Sequence, residues 1–174
     1  NVTVSKTMAG PYADMGKRFT FTVTLWSSTS APLAGGSVAY SVNSGTTSVN
    51  GGAAAAGGTM TLDASGKATF TLGHGQSITI AAAPSDGYVQ IAEQADALYQ
   101  TAHASGAGYS FSKTSGDPNP GDTDQQAMNT TDLVVSYTNT RAGVVPTGAA
   151  SGHRAAGLLG PMALLASLAG LGIT

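Results

Sequence analysis

The chain has 174 residues, of which only 9% are charged, and its 7 basic and 9 acidic residues give a formal net charge of −2. It therefore cannot form the extended basic patch that a nucleic-acid-binding protein presents to phosphate groups. The absence of cysteine excludes disulfides, thiolate catalysis and cysteine-based zinc sites. Small and β-branched residues dominate, and this composition favours an all-β, turn-rich domain over a helical bundle.

Apolar and polar residues alternate along most of the first 142 residues, which is the pattern of half-buried strands. The predicted strand segments are, in chain order, 2–8, 19–25, 38–42, a hairpin over 59–72 with its turn at 63–66, then 78–80, 89–93, 109–113 and 133–140. The stretches 51–58 and 115–126 are expected to be loops. About eight to ten short strands with regular turns predict an antiparallel, immunoglobulin-like β-sandwich.

The end of the chain has a different composition. No residue from 155 to 174 is charged, and at about 1.5 Å per helical residue this stretch matches the thickness of a bilayer core. We expect one apolar helix that spans a membrane, with a buried core helix as the alternative. Residues 143–154 are rich in glycine, proline and serine, which predicts a tether between the sandwich and this helix.

Three polar residues are in phase with the strand faces that the alternation assigns to the core: Lys6 in the first strand, Glu93 in a late strand and Asn139 in the last. Lysine and glutamate are rarely buried unless paired, and burial favours their neutral forms. A neutral amine beside a carboxamide and a carboxylic acid is the set of groups that forms an isopeptide bond. The amine attacks the carboxamide carbon, the acid polarises the carbonyl oxygen and moves protons, and ammonia leaves.

Other interpretations of these residues stay open on the sequence alone. Each of the three lies near a strand end, from which a polar side chain can reach water. Lys113 is in phase with Tyr109 and is a rival nucleophile, and Asp96 and Asp132 are alternative acids. The histidines are isolated and no hydrolase or metalloprotease motif occurs, so neither a metal nor any other cofactor is expected. The acidic loop at 115–126 misses the spacing of a calcium-binding loop.

The order of lysine, glutamate and asparagine, with the short segments 4–7, 19–25, 87–93 and 137–141, resembles a known family. It is similar to the isopeptide-linked β-sandwich domains of Gram-positive pilins and surface adhesins, described as CNA-B-like or streptococcal pilin-like. The resemblance covers about residues 1–142. It implies that Lys6 is the nucleophile, Glu93 the acid catalyst and Asn139 the electrophile of an intramolecular bond.

The tail fits the same resemblance. Wall-anchored proteins of this class end in a sorting motif, an apolar span and a few basic residues. Val145, Pro146, Thr147 and Gly148 resemble the Leu-Pro-x-Thr-Gly motif that sortases cleave, without the residue between proline and threonine. The resemblance implies a sortase as partner, membrane contact through 155–174, and anchoring to the cell wall or to a neighbouring pilus subunit outside the cell.

Two functions follow from this interpretation. The first is a structural stalk or anchor module of a cell-surface protein or pilus, which the position beside the anchor favours. The alternative is a ligand-binding adhesin domain whose loops at 51–58 or 115–126 contact a host or matrix ligand. The bond would form once per molecule by autocatalysis, so the chain is not expected to be an enzyme that turns over an external substrate.

Overall fold

The computed structural model describes residues 1–81, 86–110 and 121–143. The chain divides into two units, Asn1–Ala142 and Gly143–Thr174. The strands of the described residues are β1 (Val2–Ala9), β2 (Arg18–Ser28), β3 (Ala31–Pro32), β4 (Ser37–Asn43), β5 (Gly57–Thr61), β6 (Lys67–Gly73), β7 (Ser77–Ile80), β8 (Tyr88–Glu93), β9 (Gln100–Ser105), β10 (Gln126–Ala127) and β11 (Leu133–Thr140).

These strands form two sheets. One has the order β5-β4-β7-β1-β11-β9, and the other has the order β10-β8-β2-β3 with β6 also paired to β2. The predicted all-β architecture of two sheets is confirmed. The predicted C-terminal helix lies outside the described residues.

The core consists of the inward-facing residues of both sheets. In β1 every second residue is buried, as alternation along a pleated strand requires, and in β2 the alternation holds from Phe19 to Val23. Phe21 of β2 stacks on Phe70 of β6 with ring centroids 5.4 Å apart, and it meets Tyr137 of β11 edge-on at 5.1 Å. The burial of these large apolar side chains is the main favourable contribution to folding.

The first and last strands lie side by side. β1 pairs with β11 in parallel, with Val2 opposite Leu133 and Ala9 opposite Thr140. The other strand pairs of the described residues are antiparallel. Because parallel neighbours need a long connection, the rest of the domain forms the crossover between these two strands. The chain therefore enters β1 at one end of the sheet and leaves β11 at the other.

The predicted hairpin over 59–72 is wrong, since β5 pairs with β4 in one sheet and β6 with β2 in the other. Its turn is present: Asp63 Oδ1 accepts the N–H of Ser65 at 2.7 Å and of Lys67 at 2.9 Å. The turn is bonded to β2, because the Leu25 N–H donates to the Gly66 carbonyl at 2.9 Å. Alternation identifies the buried face of a strand but not the strand beside it.

Three described strands were not predicted: β3, β9 and β10. β3 and β10 have two residues each, and β9 turns Thr101 and His103 inward in place of apolar side chains. Gly57 and Gly58 belong to β5, although the sequence predicted a loop there. Tyr109 lies outside any strand, and residues 111–113 of the predicted strand at 109–113 lie outside the described residues.

Candidate functional site in the domain core

Lys6 and Asn139 lie on the neighbouring strands β1 and β11. The parallel register places Lys6 opposite Tyr137 and Met8 opposite Asn139, so the two side chains are offset by two residues along the strands. Residues two apart on a strand point to the same face. Both side chains are buried, with 1% of Lys6 and 0% of Asn139 exposed. The amine and the carboxamide therefore share the buried face of one sheet.

Glu93 reaches this pair from the other sheet. It is the last residue of β8, lies opposite Phe21 of β2 and is 4% exposed. Lys6 Nζ donates to Glu93 Oε2 at 2.6 Å, and Asn139 Nδ2 donates to Glu93 Oε1 at 2.5 Å. One carboxylate thus bridges the amine and the carboxamide. The structure brings all three predicted core residues together.

Burial is the main influence on the Lys6 amine. It lowers the pKa of Lys6, and the neighbouring Glu93 carboxylate opposes this effect only in part. Lys6 Nζ lies 4.2 Å from the ring centroid of Phe19 and 5.7 Å from that of Phe21, so aromatic rings take the place of water around it. A lower pKa increases the fraction of neutral amine, which is the form with a lone pair for nucleophilic attack.

Tyr137 supports the end of the strand that bears Glu93. Its hydroxyl lies 3.1 Å from the Ile91 carbonyl oxygen and 2.8 Å from that of Gly121. The Gly121 carbonyl also accepts the Glu93 N–H at 2.9 Å. Burial and the nearby Glu93 carboxylate raise the pKa of Tyr137, so its hydroxyl keeps its proton and acts as a donor. These contacts fix the backbone of Glu93 beside β11.

The Asn139 carboxamide is oriented differently from the sequence-based expectation. We expected the acid to face the carbonyl oxygen, whereas Glu93 Oε1 contacts the nitrogen. The carbonyl oxygen Oδ1 is buried and has no hydrogen-bond partner among the described residues. A carboxylate oxygen accepts hydrogen bonds, so Oε1 pairs with the Nδ2 donor and not with the Oδ1 acceptor. A protonated Glu93 would donate to Oδ1 once the carboxamide had rotated by half a turn.

The alternative acids are engaged elsewhere. Asp96 forms an ion pair with Lys17, and both side chains are partly exposed. Asp132 accepts a hydrogen bond from the N-terminal amine at 2.7 Å and another from the side chain of Asn1 at 3.1 Å. Glu93 is thus the carboxylate that contacts both Lys6 and Asn139.

Several predicted features lie outside the described residues. They are the rival nucleophile Lys113, the sorting-like residues Val145, Pro146, Thr147 and Gly148, and the apolar stretch 155–174. In the part of the chain that is described, no helix is long and apolar enough to cross a membrane. The same part contains no cluster of three or more histidine, aspartate or glutamate side chains that could hold a metal ion.

Thr101 is a further member of the site that the sequence did not reveal. Its hydroxyl donates to Glu93 Oε1 at 3.3 Å, and it lies opposite Asn139 in the pairing of β9 with β11. A threonine in a segment without apolar alternation gives no sequence signal of its own. Only the pairing of β9 beside the last strand brings it to the carboxylate.

A family model described as a domain of unknown function, DUF7601, matches residues 1–141. No curated protein matches the chain significantly.

Solved structures share the fold. The major pilin of Streptococcus pyogenes matches with a TM-score of 0.61 and 22% identity, over 82% of this chain and 47% of the pilin. A pilus-presented adhesin, Cpa, matches with a TM-score of 0.58 and 20% identity, over 82% of this chain and 27% of the adhesin. A second S. pyogenes major pilin, from serotype GAS13637, matches with a TM-score of 0.53 and 19% identity, over 80% of this chain and 44% of that pilin. The chain thus spans less than half of the length of each.

Proposed function

We propose a function for this chain, which belongs to the DUF7601 family: it is a structural module of a cell-surface protein or pilus, locked by an isopeptide bond between Lys6 and Asn139. The observation that carries the proposal is the buried contact of Glu93 with both the Lys6 amine and the Asn139 nitrogen, at 2.6 and 2.5 Å. The fold shared with a major pilin and a pilus-presented adhesin supports a role at the cell surface.

The bond forms by transamidation. The Lys6 proton passes to Glu93 Oε2, and the neutral Nζ attacks Asn139 Cγ. Glu93 then returns a proton to Nδ2, the Cγ–Nδ2 bond breaks and ammonia leaves. Nζ still carries one proton more than an amide nitrogen, and it passes this proton to Glu93. The departing ammonia takes it up as ammonium, so the products are an amide between Nζ and Cγ, an ammonium ion and the Glu93 carboxylate. Each step uses a contact made by Glu93, whose two oxygens separately face the amine and the leaving nitrogen.

The core favours this reaction in two ways. The amine and the carboxamide are held together by the folded sheets, which gives them the advantage of an intramolecular reaction. The buried position of all three side chains also limits hydrolysis, the reaction in which water takes the place of the amine. The bond forms once and changes no external substrate, so we do not propose an enzyme.

The intact mass of the purified protein tests the bond. We expect the wild-type mass to lie about 17 Da below the sequence value, because one ammonia is lost. Glu93→Gln, which cannot accept the Lys6 proton, should keep the full mass. Lys67→Ala, which removes an exposed lysine of β6, is the control and should show the wild-type loss. A wild-type mass equal to the sequence value would refute the bond.

We also propose that the chain is a sortase substrate. The tether motif of Val145, Pro146, Thr147 and Gly148 would be cleaved between Thr147 and Gly148, after 155–174 has held the precursor in the membrane. The remaining domain would then be joined to the cell wall or to a neighbouring pilus subunit. Recovery of the surface protein with 155–174 still attached would contradict cleavage and favour a simple membrane anchor.

A ligand-binding adhesin domain is the second candidate. It is supported by the fold shared with the pilus-presented adhesin, and the exposed residues 51–54 lie in the loop that the sequence predicted at 51–58. Screening the domain against host and matrix proteins separates the two functions. Saturable binding that is lost when this loop is shortened would favour the adhesin over the stalk.

A further inference from the structure

Thr101 belongs to the core site although the transamidation assigns it no step. It lies directly opposite Asn139 in the antiparallel pairing of β9 with β11, and residues opposite each other project from the same face of a sheet. Its hydroxyl donates at 3.3 Å to Glu93 Oε1, the oxygen that accepts the Asn139 nitrogen at 2.5 Å. Thr101 therefore holds the carboxylate oxygen that faces the leaving group.

The same residue borders a space open to solvent. Among the described residues, a surface cavity of about 440 Å³ is lined by Tyr99, Thr101, Gly121 and Thr140, among others. A water molecule takes up about 30 Å³ in the liquid, so this cavity holds several. Thr101 is itself 8% exposed, whereas Asn139 is fully buried. Thr101 thus lines this cavity and lies next to the buried carboxamide of Asn139.

We propose that Thr101 determines which nucleophile the Asn139 carboxamide meets, by holding Glu93 in place and by keeping water of the cavity away from Cγ. This inference rests on the proposed isopeptide bond. Attack by Lys6 Nζ joins the two side chains and releases ammonia. Attack by water breaks the same Cγ–Nδ2 bond, releases the same ammonia and leaves an aspartate at position 139. The two outcomes differ in mass, since the first lowers it by about 17 Da and the second raises it by about 1 Da.

The two parts of the Thr101 side chain have separate tasks. The hydroxyl fixes the carboxylate, because a hydrogen bond to an ionised acceptor is stronger than one between neutral groups. In the proposed role, the methyl group and Cβ keep the water of the cavity, which Thr101 lines, away from Asn139. Thr101→Val removes the hydrogen bond to Glu93 and keeps the volume of the side chain. Thr101→Ala removes both the hydrogen bond and most of that volume.

The experiment follows the intact mass of the full chain with time after cell-free synthesis. The wild-type protein should give only the product that is lighter by about 17 Da. Thr101→Val should give this product about tenfold more slowly, as expected for the loss of one hydrogen bond to a charged group. Thr101→Ala should in addition give the product heavier by about 1 Da, with the change located at Asn139 by peptide mapping. Thr101→Ser, which keeps the hydroxyl, should react at the wild-type rate.

The controls are Thr138→Val and Thr138→Ala, which alter a threonine on the outward face of β11 and should behave as wild type. A wild-type rate in Thr101→Val, or no hydrolysed product in Thr101→Ala, would overturn the role of Thr101 and leave the bond standing. Thr101→Ser as slow as Thr101→Val would also overturn it, because packing alone would then explain the effect. A wild-type protein that never loses ammonia would overturn both proposals.

Discussion

Burying the ion pair of Lys6 with Glu93 costs free energy, because both charged groups leave water. Both side chains are fully buried, and the contact of 2.6 Å lies among aromatic rings. Desolvating two charges offsets much of their attraction, so well-packed apolar residues of the same volume would often stabilise a core equally well. Stability alone therefore does not account for this pair. The proposed reaction does, because it converts the amine into a neutral amide.

The lowered pKa of Lys6 predicts how stability depends on pH when the bond is absent. Unfolding returns the amine to its ordinary pKa of 10.5, so between the lowered value and 10.5 the unfolded chain binds more protons than the folded one. Stability from this group must then rise with pH across that interval, by about 1.4 kcal/mol for each unit by which the pKa is lowered.

This dependence can be measured by chemical unfolding of Asn139→Ala, which cannot form the bond. Lys6→Met with Asn139→Ala is the reference, since titratable groups that do not interact with Lys6 contribute equally to both variants. We expect the free energy of unfolding of the single variant to increase relative to the double variant as the pH rises toward 10.5. If the free energies of unfolding of the two variants changed with pH in the same way, burial would not lower the pKa of the Lys6 amine.

At the scale of elements, each group of the site comes from a different strand. Lys6 lies on β1, Asn139 on β11, Glu93 on β8 and Thr101 on β9. Three of these strands belong to one sheet, and β8 belongs to the other. The geometry of the site therefore depends on how the two sheets are connected. The corner at 63–66, where the chain crosses from β5 to β6, is one such connection.

Gly66 is predicted to be essential at this corner. Its φ is 73°, and a Cβ there would lie 2.4 Å from the Leu25 carbonyl oxygen. Gly75 has the same φ of 73° but nothing within 4 Å of the added atom. Gly75→Ala should destabilise the domain by about 1 kcal/mol through backbone strain alone. Gly66→Ala should cost at least ~2 kcal/mol more, because the backbone of β2 must also move.

Thermal unfolding in the Asn139→Ala background measures both substitutions without the proposed bond. Comparing Gly66→Ala with Gly75→Ala separates the cost of backbone strain from the cost of a steric clash. The two glycines share one backbone conformation and differ in their surroundings. Equal losses of stability would contradict the close packing of this corner against β2.

At the scale of the whole molecule, the parallel pairing of β1 with β11 determines the path of force. The chain enters at the start of β1 and leaves at the end of β11, at opposite ends of the same pair of strands. Tension on the two termini would shear these strands against each other. A link from Lys6 to Asn139 would pass the load directly between them. Closing a loop of this size is worth about 5 kcal/mol in the chain-entropy model for disulfides.

Single-molecule pulling on residues 1–142 therefore predicts no unfolding extension from residues 7–138 in the linked protein. Lys6→Ala, which cannot form the bond, should release about 132 residues at roughly 3.5 Å each. Equal extensions of the two proteins would show that the bond bears no load. If the wild-type protein extended and its intact mass showed no loss of ammonia, the bond would not have formed in that sample.

The sequence by itself determined the class of the fold and the burial of the site residues. Alternation of period two fixes which face of a strand is apolar, and Lys6, Glu93 and Asn139 are in phase with that face. This conclusion needs only local sequence, because the face of a residue follows from the neighbours two positions away. The same local information identified the turn at 63–66.

Only the tertiary structure decided which strands are neighbours. The parallel pairing of β1 with β11, the separation of β5 from β6 and the position of β9 depend on contacts between residues far apart in the chain. Alternation is the same whichever strand lies alongside, so it does not contain this information. Thr101 could therefore not be found from the sequence, and neither could the side of the carboxamide that Glu93 contacts. That side depends on how the two sheets pack against each other, which brings Glu93 of β8 to Asn139 of β11.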